Sequence, residues 1–305
     1  MNSTWCKYSG PFLSLPALLA IMCGLVSTTG RGELKTFTLD ATNSSLSISG
    51  TLGGAAFQQQ APGSLIAKIG GTIKADVTSS NITFVGGSLI AALTNGNWQP
   101  GPGGAAGSAP ANYGLKVTVY IFITAMASVR NALLDVNSSP LAVTGGAFPG
   151  RQLQYFFPPA STTTLDYSAG SLASGSDTLM NAFTNNVNAN ATLVVQGSQQ
   201  VLTIPVDISG TKTIAPGTVN YRLVGQLVAR APVTVPLKIN TLRVSSGQIT
   251  FTIATTPNQS YTILESTNLT DWTTSVDQFT ATNNPMVRNV SRSASPKKYF
   301  RVRQD

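Results

Sequence analysis

Apolar and polar residues alternate with a period of two along most of the chain, and this pattern is the strongest constraint on its fold. The alternation is clean in LKTFTL (34–39), SLIAKIGGTIKADV (64–77) and VNYRLVGQLVARAPV (219–233). Val, Ile, Thr, Tyr and Phe fill these segments, while Gly, Asn, Pro and Ser separate them, as expected for strands joined by turns. The pattern therefore predicts an all-β protein.

Three segments depart from simple alternation. Ser176–Phe183 has helical spacing, with apolar residues on one face and a capping residue at its start, and predicts one short helix. Lys116–Val129 is the most apolar internal stretch and predicts a buried strand that bends near Ala125. Gln99–Gly114 is rich in Gly, Pro and Ala and predicts a flexible loop.

Two prolines, Pro232 and Pro236, follow the last long alternating segment and mark a domain boundary. Residues 31–232 are predicted to form a large antiparallel β-sandwich or barrel. Residues 240–305 are predicted to form a small sandwich of the immunoglobulin or fibronectin kind. The alternation places the strands of this second unit near 241–244, 248–254, 261–266, 276–281, 286–290 and 298–303.

Residues 1–30 have the composition of a secretory signal peptide. Lys7 supplies a positive charge, Pro11–Val26 is apolar, and small residues follow at Ser27–Gly30. The apolar stretch is short for a membrane anchor. The sequence therefore predicts export to the periplasm, the outer surface or the medium, with no transmembrane segment after cleavage.

Histidine is absent from the chain, and both cysteines, Cys6 and Cys23, lie in the predicted signal. Catalytic Ser-His-Asp and Cys-His arrangements are thereby excluded, as are metal sites with imidazole ligands. The predicted mature chain can form neither disulfides nor thiolate metal sites. We therefore expect a protein without catalytic residues, cofactor or metal.

Carboxylates are the remaining candidates for catalysis. Glu265 and Asp271 flank a strand-to-turn corner beside Trp272, and glycosidases use two carboxylates across a cleft. The surrounding pattern favours a structural interpretation instead, in which Asp271 pins the turn through backbone amides and Trp272 plugs the small core. Elsewhere, Arg130 and Asp135 are predicted to form an internal ion pair.

Lys and Arg outnumber Asp and Glu by 19 to 11, and the excess is concentrated near the C-terminus. Such residues suit anionic polysaccharide or other cell-envelope components, while nucleic acid is not expected for an exported protein. The alternative is a solvated strand edge that discourages sheet association. The candidate binding residues are Arg288, Arg292, Lys297, Lys298, Arg301 and Arg303.

Trp98 is the other candidate binding residue, because an aromatic side chain on a loop can stack on a sugar ring. It lies in TNGNWQPG, a turn sequence. An aromatic beside Gly and Pro also commonly plugs the end of a barrel or sandwich, so both roles remain open.

Two stretches resemble parts of secreted proteins from Verrucomicrobia and Planctomycetes. A small C-terminal β-sandwich module of these proteins is similar to two stretches of this chain, ITFTIATTPNQSYTILESTNLTDWTTS and PKKYFRVR. This resemblance implies no catalytic activity. APGSLIAKIGGTIKADV, NGNWQPG, APANYGL and LVGQLVA resemble a β-rich domain of unassigned function. Members of that group often carry an apolar sorting tail. This chain ends in YFRVRQD, which implies release or another route of attachment.

Three functions are compatible with these observations. The first is a secreted, non-enzymatic protein of the bacterial envelope or matrix, structural or adhesive, with weak polysaccharide binding. The second is a β-barrel that holds a lipid-like molecule in an apolar interior. The third, which the sequence favours least, is a glycoside hydrolase that depends on carboxylates.

Overall fold

The computed structural model describes residues 4–9, 32–119, 123–159, 162–180, 183–215, 217–233, 237–245, 247–291 and 297–305. These residues form strands and two 3-10 turns, Pro102–Gly104 and Gly150–Gln152, and contain no α-helix. All strand pairs are antiparallel, as the alternation predicts. The chain divides into two compact units, with Gly30–Pro232 as the N-terminal unit and Val233–Asp305 in the C-terminal unit.

Strand β1 (Thr4–Ser9) pairs with the last strand of the chain and belongs to the C-terminal unit. The rest of the predicted signal segment lies outside the described residues. The strands of the N-terminal unit are β2 (Glu33–Leu39), β3 (Ser45–Leu52), β4 (Ala55–Ala56), β5 (Gln58–Gln59), β6 (Ile66–Val77), β7 (Asn81–Phe84), β8 (Leu89–Ala92), β9 (Gly96–Trp98), β10 (Ala109–Ala111), β11 (Tyr113–Val119), β12 (Ile123–Arg130), β13 (Leu133–Asn137), β14 (Leu141–Ala142), β15 (Ala147–Pro149), β16 (Gln154–Phe156), β17 (Thr164–Ser168), β18 (Ser174–Thr178), β19 (Phe183–Asn185), β20 (Asn190–Gln196), β21 (Gln199–Ile214) and β22 (Gly217–Pro232).

A 14-stranded sheet forms most of the N-terminal unit. Both β2 and β3 pair with β22 on one side and with β6 on the other, so the backbone pairing closes a small barrel. A second sheet has the order β18-β17-β12-β11-β5. Leu115 and Leu165 of this second sheet are buried in the same apolar cluster as Phe37 and Ile73 of the first, so the two sheets share one core.

The apolar segment 116–129 is a hairpin and not one bent strand. Strands β11 and β12 pair with each other over their whole length, from Tyr113 opposite Val129 to Val119 opposite Ile123. The chain therefore reverses between Val119 and Ile123, before the predicted bend at Ala125. No Gly, Pro or Asn marks this reversal, because the residues between these two positions are Tyr, Ile and Phe.

The predicted helix at 176–183 is wrong for the described part of that segment. Ser174–Thr178 is strand β18, at the edge of the second sheet, and β19 begins at Phe183. The backbone of β18 pairs with β17 along its whole length, from Thr178 opposite Thr164 to Ser174 opposite Ser168. This pairing satisfies its amides in the sheet, which overrides the weak local preference for a helix.

The C-terminal unit contains two sheets that enclose a separate apolar core. Phe251 in one sheet and Phe300 in the other meet edge to face, with ring centroids 5.3 Å apart. The strands are close to those predicted from the alternation. They are β23 (Lys238–Ser245), β24 (Gln248–Ala254), β25 (Ser260–Ser266), β26 (Thr274–Thr280), β27 (Met286–Ser291) and β28 (Lys297–Gln304).

Candidate functional site

The candidate basic residues do not share one surface of the C-terminal unit. Arg288 lies on β27 of the three-stranded sheet, while Lys298, Arg301 and Arg303 lie on β28 of the four-stranded sheet. Because side chains alternate along a strand, Lys298 projects to the face of β28 opposite Arg301 and Arg303. Arg292 and the side chain of Lys297 lie outside the described residues.

Three of these basic side chains already have carboxylate partners. Arg288 donates to both oxygens of Asp277 at 2.7 and 2.8 Å. Lys298 donates to Glu265 at 2.5 Å, and Arg303 lies 2.8 Å from Asp305. Each pairing neutralises charge that an anionic ligand would otherwise meet. These ion pairs therefore do not favour an anionic partner for this unit. Such a partner remains a prediction.

The corner with Glu265 and Asp271 is built as a turn. Asn268 Oδ1 accepts the backbone N–H groups of Thr270 and Asp271, and Ser266 Oγ accepts those of Asn268 and Leu269. Asp271 holds the Asn268 side-chain amide and does not cap backbone amides, contrary to the expectation from sequence.

Trp272 lies against this turn, half-buried, and donates its indole N–H to the Leu269 carbonyl at 2.9 Å. It is therefore not the core plug predicted from sequence. Phe251 and Phe300 fill that core instead.

Trp98 packs across two glycines of the N-terminal unit. A Cβ atom at Gly96 or Gly114 would lie only 2.6 or 2.5 Å from the indole ring, so both positions must lack a side chain. The ring is half-buried, and its Nε1 atom is shielded from solvent. This arrangement suits packing better than stacking on a sugar.

Arg130 pairs with Asp166 and not with Asp135, which corrects the prediction from sequence. The guanidinium also donates to the carbonyls of Pro100 at 2.6 Å and Pro110 at 3.1 Å. Asp166 in turn accepts the backbone N–H of Gly103 at 2.9 Å. The buried pair therefore holds the segment that its composition marked as flexible at three positions, Pro100, Gly103 and Pro110.

Asp135 has a different structural role. Its two oxygens accept the backbone N–H groups of Gly87 and Ser88 at 2.7 and 2.8 Å, which fixes the turn that leads into β8. Hydrogen bonds from backbone amides to a carboxylate are charge-assisted and strong, so Asp135 holds this turn firmly.

An open groove of about 340 Å³ that carries exposed hydroxyl and amide groups crosses β3, β22 and β21, and sequence reasoning did not identify it. Its volume lies at the lower end of the range for small-molecule sites. Ser209, Thr211 and Asn220 are exposed along it, and the side chains of Thr211 and Asn220 are hydrogen-bonded at 3.0 Å. Its lining residues are Gly50, Thr51, Ser209, Gly210, Thr211, Asn220, Tyr221 and Arg222.

Two glycines allow close packing around Tyr221, beneath this groove. Strand register places Gly210 and Gly50 on either side of Tyr221. A Cβ atom at Gly210 would lie 2.2 Å from the Tyr221 hydroxyl, and one at Gly50 would lie 2.0 Å from the Asn220 carbonyl. The φ angle of Gly50, +151°, also disfavours any other residue. In the sequence, only isolated glycines in strand patterns pointed to this site. Such glycines indicate that another group approaches the backbone closely, but they do not identify a binding site.

Arg222 and Asp207 form an ion pair at one end of the groove. The guanidinium donates to the two carboxylate oxygens at 2.7 and 2.6 Å. These hydrogen bonds hold the pKa of Asp207 below its ordinary value and raise that of Arg222. The pair makes this end of the groove electrically neutral.

The depressed pKa of Asp207 predicts a loss of stability in acid. A carboxyl group whose pKa is lower in the folded chain stabilises the fold above its unfolded pKa, about 3.9, and loses that contribution as pH falls through the folded value. We expect Asp207→Asn to unfold at a lower temperature than wild type at neutral pH, with the two melting temperatures converging below about pH 4. A difference that stays constant from pH 7 to about pH 2 would contradict this role.

An apolar cavity also lies in the N-terminal unit, where the hairpin β11–β12 faces β3 and β22. Its volume is about 60 Å³. Sites for drug-sized ligands measure roughly 300–1,000 Å³, so the interior as it stands is too small for a whole lipid. This volume does not favour the hypothesis of a β-barrel that holds a whole lipid-like molecule in its interior.

Neither the scan of protein-family models nor the searches of curated proteins and solved structures finds a match to this chain. The resemblances seen in the sequence therefore stay predictions. Among the described residues, no three Asp, Glu, His or Cys side chains are grouped so that they could hold a metal ion. The described part of the chain also lacks any helix of the length and apolar character needed to cross a membrane.

Proposed function

We propose that the chain is a secreted, non-enzymatic protein of the bacterial envelope or matrix that binds uncharged polysaccharide. The observation that carries this proposal is the groove across β3, β22 and β21, with its exposed Ser209, Thr211 and Asn220 side chains. Its exposed hydroxyl and amide groups both donate and accept hydrogen bonds, as the hydroxyls of a sugar do.

The charge of the groove selects the class of polysaccharide. Arg222 is its only charged lining residue, and Asp207 neutralises it through two hydrogen bonds. An anionic chain would have to compete with Asp207 for the guanidinium. An uncharged chain can instead use the hydroxyl and amide groups and leave the ion pair intact.

The use of the carboxylates supports a non-enzymatic role. Asp166, Asp207, Asp277 and Glu265 each pair with a basic side chain, and Asp135 accepts backbone amides. A glycoside hydrolase instead needs two carboxylates that face each other across an open cleft. These five groups stabilise turns and strand pairs.

The proposal predicts that changes in the groove weaken binding to uncharged polysaccharide. In the double variant Thr211→Val and Asn220→Leu, the hydroxyl and amide groups are lost while the branched shape of each side chain is kept. We expect the affinity of this variant for the neutral polysaccharides that wild type binds to fall about tenfold. A loss of this size corresponds to one or two hydrogen bonds. Affinity electrophoresis measures this effect in gels that contain dextran, galactomannan or xylan. A gel that contains polygalacturonate gives an anionic comparison.

Thr118→Val with Asn289→Leu is the matched control, because Thr118 is exposed on β11 and Asn289 is exposed on β27, both away from the groove, and the chemical changes are the same. It should migrate as wild type does in every gel. The proposal would be overturned if none of the neutral polymers retards wild type. Equal retardation of wild type and the double variant would also overturn it.

A further inference from the structure

The apolar cavity of the N-terminal unit has the composition of a binding site for hydrocarbon. It is separate from the strand face that carries the exposed hydroxyls of the groove, although Tyr221 borders both. Leu115, Val117, Ala125 and Leu165 line it from the second sheet. Aliphatic and aromatic groups make up nearly all of the remaining wall.

Water is poorly matched to this cavity. A buried water needs two to four polar partners, and apolar cavities of this kind stay dry. The Tyr113 hydroxyl is already committed to the Leu46 carbonyl at 3.2 Å. The cavity therefore offers a ligand dispersion contacts without requiring it to displace bound water.

Lys212 is the only charged residue in the lining. Its ammonium group lies 2.9 Å from Asp177, and each of the two side chains is about one-third exposed, at 34% and 35%. The ammonium is thus paired at the boundary with solvent. A ligand with an anionic group would have to displace Asp177, whereas an uncharged one leaves the pair in place.

Met126 is the side chain of the wall that can best adapt to a ligand. Met126 and Phe57 line it and are only partly buried. Methionine has three rotatable bonds and adjusts readily to the shape of its neighbours. An alkyl chain is narrow and can enter a small cavity end first, unlike a bulky ring system.

We propose that this cavity binds the end of a short, uncharged alkyl chain, with the polar group of the ligand left near Lys212 at the solvent boundary. This replaces the whole-lipid hypothesis with a site for one hydrocarbon segment. It does not rest on the polysaccharide proposal, because none of the exposed groove hydroxyls lines the cavity.

Methyl NMR of the full chain, titrated with 1-butanol and separately equilibrated with pressurised xenon, tests the site. We expect saturable shifts of the methyl groups of Leu115, Val117 and Leu165 with both probes. The methyl groups of Ile253 and Val302, buried in the C-terminal core, should not shift. Shifts with xenon alone would identify the cavity as a void and not a ligand site, which would overturn the proposal. The absence of selective shifts with both probes would also overturn it.

A filling substitution gives an independent measurement. Ala125 is 5% exposed in the cavity wall, and Ala125→Leu should abolish the 1-butanol shifts. Ala105→Leu, the same change at an exposed position outside the lining, should retain them. If Ala125→Leu does not fold, Ala169→Val fills the wall with less added volume. A folded filling variant that binds 1-butanol as wild type does would place the alcohol elsewhere and overturn the assignment.

Discussion

Arg130→Met is expected to lower the free energy of unfolding of the N-terminal unit by about 3–5 kcal/mol. Asp166 is 1% exposed and Arg130 is 7% exposed, so the substitution leaves a carboxylate in the interior without its cation. The Pro110 carbonyl also loses its guanidinium donor, and the Pro100 carbonyl is left with the Ser128 hydroxyl. Because these atoms fix the segment between β9 and β10, we expect its amides to lose protection from hydrogen exchange along with the global loss of stability.

Urea denaturation of the full chain measures this change, and two comparisons make it specific. Arg222→Met removes the same guanidinium from an ion pair in which the arginine side chain is 56% exposed, so its effect should be much smaller. Adding Asp166→Leu to Arg130→Met removes the uncompensated charge and should recover part of the loss. Equal destabilisation by Arg130→Met and Arg222→Met would show that burial of the Arg130 pair carries no special weight.

Phe251→Ala is expected to destabilise the C-terminal unit by about 3–5 kcal/mol. Phe251 is fully buried and meets Phe300 across the two sheets at 5.3 Å, so the substitution leaves a cavity at the centre of the core. A unit of this size buries a smaller fraction of its surface than a large domain does and has little stability to lose. We therefore expect a large part of the C-terminal unit to be unfolded at room temperature.

Amide hydrogen exchange resolves this effect within the full chain, through the protection of β24, β25 and β28. Val287→Ala is the control, because Val287 lies opposite Thr252 on the neighbouring strand but is 57% exposed. It should cost no more than about 0.5 kcal/mol. Phe251→Leu keeps an apolar side chain in the core and should retain more protection than Phe251→Ala. Native-like exchange in Phe251→Ala would mean that the two sheets do not depend on this contact.

Strand positions followed from the sequence where polar and apolar residues alternate and turn residues separate the strands. The C-terminal unit is the clearest case, since Gln248–Ala254 was predicted at its observed bounds. The prediction failed at β11 and β12, where an unbroken apolar stretch hides the reversal. It failed again at β18, where a short segment with helical spacing is held extended by its partner strand. In both cases pairing between strands, which no local pattern encodes, decided the outcome.

The sequence alone determined the all-β class and excluded histidine-based chemistry, because these follow from the alternation and from the absence of histidine. Only the tertiary structure decided which charges meet. Arg130 was matched to Asp135, five positions away, but strand pairing brings Asp166 to it from β17. The groove has the same origin, since it depends on register that places Gly210, Tyr221 and Gly50 side by side on three strands. Contacts between residues distant in sequence arise from the register of paired strands, and that register is set by burial of the whole core.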